Sequence, residues 1–212
     1  MSNHPHKNAA VVTAGEPLSS ASSAMILLHG RGASAAGILD LKRVLIKEGM
    51  HFLAPEAANH TWYPYRFIAP VAQNEPYLSS ALTMIDDQVQ HLEQEGIGRD
   101  RIVVAGFSQG ACLASEYVAR NPAKYGGLLA FSGGLIGAPN ELPDYQGSLD
   151  QTPVFLGCSD YDPHIPLQRV NETAQILEKL GAVVNKQIYP QMGHTIIADE
   201  IKQAQMVLDN LP

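Results

Sequence analysis

The sequence predicts a doubly wound α/β fold, in which helices cover both faces of a mostly parallel sheet. Short, continuous apolar runs predict strands that are buried on both faces, as is typical of parallel sheets. Four such runs occupy residues 25–28, 102–105, 128–131 and 154–156. Helical patterns alternate with these runs from residue 25 onward. Because alternating strands and helices build layered α/β domains, the pattern predicts this fold class.

The remaining elements follow from weaker strand patterns and from apolar residues at helical spacing. Residues 9–15 predict an edge strand, and residues 51–55 and 183–189 predict two weaker strands. A helix is predicted between Pro76 and Gly96, because apolar residues recur there at steps of three and four: Leu78, Leu82, Ile85, Val89 and Leu92. The same spacing predicts helices over 170–180 and 197–208, and a further helix follows residue 108.

Composition indicates one globular domain, which we assign to residues 1–212, with residues 1–8 as candidates for disorder. The 212 residues are 45% apolar and 17% charged, unlike the composition of a disordered or membrane-spanning chain. The net charge is −7 and no basic patch is present, which argues against nucleic acid as a partner. The chain is also too short to carry a separate cap domain beside a core of this class.

The sequence predicts a cytoplasmic protein without a membrane span. No apolar run approaches the length of a transmembrane helix, and the first residues lack the apolar segment of a signal peptide. Cys112 and Cys158 are too few for a disulfide framework and are predicted to be small buried thiols.

A glycine-flanked serine carries the strongest chemical signal. Residues 106–110 read Gly-Phe-Ser-Gln-Gly, between an apolar run and a helical pattern. In that context the motif is typical of a strained strand-to-helix turn that exposes a nucleophilic hydroxyl, here Ser108. Side chains at Gly106 and Gly110 would collide with neighbouring backbone. The alternative is a structural Gly-Ser turn, and the presence of catalytic partners decides between the two.

The partners expected for such a serine are present in the expected order. Of the two histidines after Ser108, His194 follows the last predicted strand and is the predicted base, whereas His164 is interpreted as a rim residue. Asp162 and Asp160 are both candidates for the acid. We favour Asp162, because the proline that follows it restricts its backbone to an extended conformation.

Two main-chain N–H groups are predicted to bind the oxyanion. One is that of Gln109, directly after the serine, and the other is that of Arg31, in the loop after the first internal strand. Gly30 and Gly32 let this loop approach a substrate closely. His29 is interpreted as a structural residue of the loop rather than a base.

Two long loops follow predicted strands, on the side of an α/β sheet where ligands bind. They span residues 56–76 and 133–153. We assign the candidate substrate-binding residues mostly to these loops: Trp62, Tyr65, Phe67, Leu135 and Tyr161. The alternative for the aromatic residues is that they pack the first loop onto the core.

Four segments together resemble the phospholipase/carboxylesterase family of α/β-hydrolases. These segments are LHGRGAS, GFSQGACLA, DPHIP and MGHTI, which lie in the family's order between residues 28 and 196. The resemblance implies an α/β-hydrolase fold, a triad of Ser108, Asp162 and His194, and a homodimer. The acyl-protein thioesterases of this family are similar but carry an aliphatic residue in place of Arg31.

The predicted function is hydrolysis of carboxylic esters with short to medium acyl chains through an acyl-Ser108 intermediate. The expected partner is a small-molecule ester, and no cofactor or metal is expected. One alternative is an acyl-thioesterase or lysophospholipase acting on lipidic substrates. An alternative of another class is a non-catalytic binding protein of hydrolase fold. A metal site at Asp160, Asp162 and His164 is less favoured, because no second ligand group accompanies it.

Overall fold

A computed structural model describes residues 4–212 and contains one seven-stranded sheet within that range. The strand order is β1-β3-β2-β4-β5-β6-β7. Only β1 is antiparallel to its neighbour, so the predicted mostly parallel sheet is confirmed. The strands are β1 Val11–Gly15, β2 Ser23–Leu28, β3 Met50–Pro55, β4 Ile102–Phe107, β5 Gly127–Phe131, β6 Pro153–Ser159 and β7 Val183–Tyr189.

Helices cover both faces of the sheet. The α-helices are α1 Ala35–Ile38, α2 Val71–Asn74, α3 Tyr77–Gln94, α4 Gln109–Arg120, α5 Leu167–Lys179 and α6 Ala198–Asp209. Short 3₁₀ turns lie at Leu18–Ser20, Leu39–Arg43, Ala58–His60 and Arg99–Arg101. Buried residues of α3, α4 and α5 form one apolar core, and those of α1 and α6 form the other.

Strand β2 shows why a continuous apolar run suits this position. Its side chains alternate between the two cores, with Ile26 and Leu28 on the α3–α5 face and Met25 and Leu27 on the α1–α6 face. All four side chains are fully buried, because both faces of the strand are covered. The predicted α/β fold class is confirmed, and no separate cap domain is present within residues 4–212.

Residues 1–8, the candidates for disorder, are only partly described by the structure. Residues 1–3 lie outside the described residues. Beyond them, His6 is fully buried, its main-chain N–H donates to Ser80 Oγ, and its ring Nε2 lies 3.0 Å from the carbonyl oxygen of Trp62. These contacts fix His6 against the main body of the domain. Among the described helices, none is long and apolar enough to cross a membrane.

Candidate active site

Ser108 lies in the turn between β4 and α4, in a backbone conformation that only a constrained turn maintains. Its φ of 55° and ψ of −118° are rare for a residue with a side chain. A Cβ atom added to Gly106 would overlap the carbonyl group of Gly110, and one added to Gly110 would overlap the carbonyl group of Leu28. The two glycines therefore let α4 begin against the ends of β2 and β4.

A continuous hydrogen-bond chain joins three of the predicted site residues. His194 Nε2 lies 2.8 Å from Ser108 Oγ, and His194 Nδ1 lies 2.7 Å from Asp162 Oδ2. The ring of His194 is tilted against that of Phe107, with 5.0 Å between the ring centroids. Gly193 has a φ of 78°, so the turn that presents His194 favours glycine next to it.

The two candidate acids have different partners. Asp162 is buried at its side chain, and its second oxygen, Oδ1, accepts the main-chain N–H groups of His164 and Ile165 at 2.8 and 3.0 Å. These bonds fix the carboxylate so that Oδ2 faces His194. Asp160 instead accepts the main-chain N–H of Gln191 at 2.8 Å. It therefore stabilises the loop that precedes His194, without contact with the ring.

A cavity of about 680 Å³ opens at the hydroxyl of Ser108. Its volume is within the ordinary range of small-molecule sites. Of the two predicted ligand-binding loops, 56–76 lines the cavity, whereas no residue of 133–153 does, contrary to the expectation for that loop. The other lining residues come from the loop after β2, from the junction of β4 and α4, and from the segments after β6 and β7. The full lining is Gly30, Arg31, Ala33, Tyr63, Pro64, Tyr65, Arg66, Phe67, Phe107, Ser108, Gln109, Cys112, His164, Ile165 and His194. The predicted pocket residues Tyr65 and Phe67 are among them, and His164 lies at the rim, as the sequence suggested.

The other three predicted substrate-binding residues lie elsewhere. Trp62 and Leu135 are completely buried, and Tyr161 is 84% exposed without lining the cavity. Trp62 packs beneath the cavity wall, where its indole N–H donates to the carbonyl oxygen of His29 at 2.8 Å. This position corrects the prediction that Trp62 contacts substrate and matches the alternative, in which it packs its loop onto the core.

The cavity residues that the sequence analysis did not predict include Phe107, Cys112 and Ile165. Each is close to a motif residue, since Phe107 precedes the serine and Ile165 follows Asp162 by three positions. That proximity is the signal that could have found them. Burial raises the pKa of the Cys112 thiol to about 12, so this cysteine is no thiolate nucleophile at neutral pH.

His29 is fully buried and stabilises the loop that contains Arg31. Its Nδ1 lies 2.8 Å from the carbonyl oxygen of Gly30, and its Nε2 accepts the main-chain N–H of Ala57 at 3.1 Å. These bonds agree with the structural interpretation of this histidine. In the described part of the chain, no group of three or more histidine, cysteine or acidic residues has the arrangement of a metal site.

Comparison with known proteins assigns the family. The family model described as phospholipase/carboxylesterase matches residues 6–211. The chain belongs to the phospholipase/carboxylesterase family. As a member, it is a serine hydrolase of the carboxylesterase type, as the sequence predicted.

Relatives within the family include both esterases and thioesterases by name. A crystal structure of a phospholipase/carboxylesterase from Dyadobacter fermentans is 45% identical, with a TM-score of 0.92, and the match covers 96% of this chain and 97% of that one. Esterase PE8 is 26% identical, with a TM-score of 0.79 and coverage of 96% and 98%. Acyl-protein thioesterase 1 of Debaryomyces hansenii is 28% identical over 90% of this chain and 92% of its own length.

Proposed function

We propose that the protein hydrolyses carboxylic esters of short to medium acyl chain length through an acyl-Ser108 intermediate. The observation that carries this proposal is the hydrogen-bond chain from Asp162 through His194 to Ser108, which ends at the cavity. A serine hydroxyl is a weak nucleophile unless an adjacent base takes its proton. The contact at 2.8 Å puts His194 within the distance at which a general base acts.

The reaction proceeds in two halves. His194 Nε2 accepts the Ser108 proton as Oγ attacks the ester carbonyl, and it then donates that proton to the leaving alkoxide. A water molecule deprotonated by His194 then attacks the acyl-enzyme, the acyl–Oγ bond breaks, and His194 returns the proton to Ser108 Oγ as the acid leaves. Throughout, Asp162 maintains the tautomer of His194 in which Nε2 is free to accept, and it stabilises the imidazolium that forms.

The negative charge of the tetrahedral intermediate requires hydrogen-bond donors that are already in place. We assign this role to the main-chain N–H groups of Arg31 and Gln109. Gln109 is the first residue of α4, where main-chain N–H groups have no partner within the helix. No described residue accepts a hydrogen bond from either N–H group. Both groups are therefore free to bind an oxyanion beside Ser108.

The preference for short to medium acyl chains rests on the shape and lining of the cavity. The cavity is open, without a cap domain over it among the described residues, and its wall is largely aromatic and aliphatic. Such a site binds an apolar acyl group without enclosing a long one. Thioester hydrolysis is the second candidate, because relatives across most of the chain are named acyl-protein thioesterase 1. The same nucleophile and donors attack a thioester.

Labelling with a fluorophosphonate probe tests the proposal directly. We expect an adduct on Ser108 in the folded protein and none in the Ser108→Ala variant or in denatured protein. A panel of p-nitrophenyl esters and matched thioesters then measures acyl length and leaving-group preference. Absence of an adduct would favour the non-catalytic binding protein, and cleavage of long-chain esters alone would contradict the assigned chain length.

A further inference from the structure

Both terminal nitrogens of the Arg31 side chain bind one segment of the loop 56–76, namely residues 61–65. Its Nη1 donates to Thr61 Oγ1 and to the carbonyl oxygen of Pro64, both at 3.0 Å. Its Nη2 donates to the carbonyl oxygens of Tyr63 and Tyr65 at 2.9 and 2.8 Å. One side chain therefore binds four acceptor atoms within five residues, in a segment that forms part of the cavity wall.

These bonds leave the guanidinium little capacity for a substrate. A guanidinium carries five N–H groups, and the four on its two terminal nitrogens are used by the loop. Bidentate capture of a carboxylate needs two parallel donors. Although Arg31 lines the cavity, its side chain is thus committed to the loop rather than open to an anionic substrate.

The side chain of Gln109 also binds this segment. Its Oε1 accepts the main-chain N–H of Trp62 at 3.1 Å, and its Nε2 donates to the carbonyl oxygen of Tyr63 at 2.8 Å. Gln109 is buried, so these bonds are shielded from water. The two residues whose N–H groups we assign to the oxyanion are therefore both bound, through their side chains, to residues 61–65.

We propose that Arg31 is a positioning residue of the oxyanion hole. By binding residues 61–65, its side chain fixes the main-chain N–H group of Arg31 relative to that of Gln109. Residues 61–65 thereby hold both N–H groups in place. The inference rests on the proposed function for its catalytic consequence. Oxyanion donors act only when they are already placed where charge develops. A displacement of about 1 Å at a reacting centre can lower a rate by about 10²-fold.

The test replaces Arg31 by methionine, which retains the length and apolar part of the side chain and removes all five donors. We expect kcat for p-nitrophenyl acetate to fall about tenfold to a hundredfold while KM changes by less than about threefold, because the donors bind the transition state more strongly than the substrate. Arg31→Lys, with three donors on one nitrogen, should restore only part of kcat.

A second measurement reports the loop without any reaction. Trp62 is the only tryptophan of the chain, and it lies within the held segment. In Arg31→Met, acrylamide should quench its fluorescence more than in the wild type, since the segment loses four hydrogen bonds. Arg43→Met is the matched control, because Arg43 is exposed and forms an ion pair with Asp40, three positions before it. This control should change neither the quenching nor kcat.

The possible outcomes distinguish failure of the positioning role of Arg31 from failure of the proposed esterase function. Unchanged quenching in a natively folded Arg31→Met, or increased quenching with unchanged kcat, would overturn the positioning role. So would a rise in KM confined to negatively charged esters, which would make Arg31 a substrate-binding cation. If Arg31→Met does not fold, Arg31→Lys should show the same changes at smaller size. If the wild-type protein neither hydrolyses esters nor reacts with the fluorophosphonate probe, the proposed function is wrong. The quenching of Trp62 fluorescence still shows in that case whether Arg31 holds residues 61–65.

Discussion

At the scale of single residues, Asp160 and Asp162 illustrate how two similar side chains two positions apart differ in role. Both follow β6, and both accept main-chain N–H groups of loops. Only Asp162 has an oxygen directed at His194. The proline after Asp162 made it the better candidate from sequence, and the hydrogen bonds give the physical difference: Asp162 orients the imidazole, and Asp160 orients the loop.

We expect alanine substitution to separate these roles. Asp162→Ala should lower kcat by about 10³–10⁴-fold, because His194 then loses the partner that sets its tautomer. Asp160→Ala should lower kcat by less than about tenfold, because only the bond to Gln191 is lost. Steady-state kinetics on one short p-nitrophenyl ester measures both. A larger loss in Asp160→Ala than in Asp162→Ala would contradict the assignment.

Residue-level prediction from sequence agrees with the observed geometry where a motif constrains the backbone and departs from it where only residue type was available. Ser108, Asp162 and His194 were found because each has a diagnostic chain neighbour, and the structure brings their side chains into contact. Trp62 and Leu135 were placed in the cavity because they are large and lie in long loops. Which side of an irregular loop faces the core depends on tertiary hydrogen bonds, such as that between Trp62 and His29, and sequence patterns do not encode them.

At the scale of elements, the junction of β2, β4 and α4 determines the position of Ser108. Helix α4 begins against the carbonyl end of β2, at a separation that leaves no room for a side chain at Gly110. Its N-terminus therefore lies directly behind Ser108, where the helix dipole favours negative charge. The close packing of α4 against β2 therefore depends on the whole strand–turn–helix unit.

Gly110→Ala should destabilise this unit. The added methyl group would overlap the backbone of Leu28, so we expect the free energy of unfolding to fall by about 2–4 kcal/mol and the activity to fall with it. Gly37→Ala in α1 is the control. Its methyl group would lie 3.4 Å from Ser34 Oγ, and the change should be within about 1 kcal/mol. Urea denaturation of both variants measures the difference, and equal effects would disprove the packing argument.

The elements themselves were largely predictable. The four long apolar runs lie in β2, β4, β5 and β6, and the weaker patterns lie in β1, β3 and β7. Doubly covered strands require continuous apolar residues, so their signal in the sequence is strong. The short helices α1 and α2 were not predicted, because four residues are too few to establish a helical period.

At the scale of the whole molecule, stability should depend on pH through Glu200 in α6. This side chain is fully buried, and burial raises its pKa from the ordinary value of 4.5 to about 7. Its Oε2 accepts the main-chain N–H of Ile197 at 3.0 Å, whereas Oε1 has no partner among the described residues. Between pH 4.5 and 7 the folded state therefore retains a proton that the unfolded state releases.

The sign of this dependence is that stability falls as pH rises through that window. Glu200→Gln has no proton to lose. Relative to the wild type, its free energy of unfolding should therefore be higher at pH 8 than at pH 5 by about 1–3 kcal/mol. Urea denaturation at both pH values measures this shift. Glu48→Gln, at an exposed position, should show no such shift between the two pH values, and a wild-type-like slope in Glu200→Gln would refute the argument.

Two whole-molecule predictions from sequence depend on properties outside a single chain. The homodimer implied by the family resemblance and the cytoplasmic location both stay predictions. Assembly depends on surface complementarity between copies, and location depends on cellular machinery. The fold was predictable because it follows from burial patterns within one chain.

The contact between Ser108 and His194 joins residues that are 86 positions apart, which has a consequence for biosynthesis. At about 5–20 residues per second, a ribosome needs about 4–17 s to add the segment between them. In the proposed mechanism, the nascent chain carries the nucleophile but lacks its base during that interval. We therefore expect the unfinished protein to be unable to attack esters, and hydrolytic activity to begin only after β7 and the turn that bears His194 have been synthesised and packed.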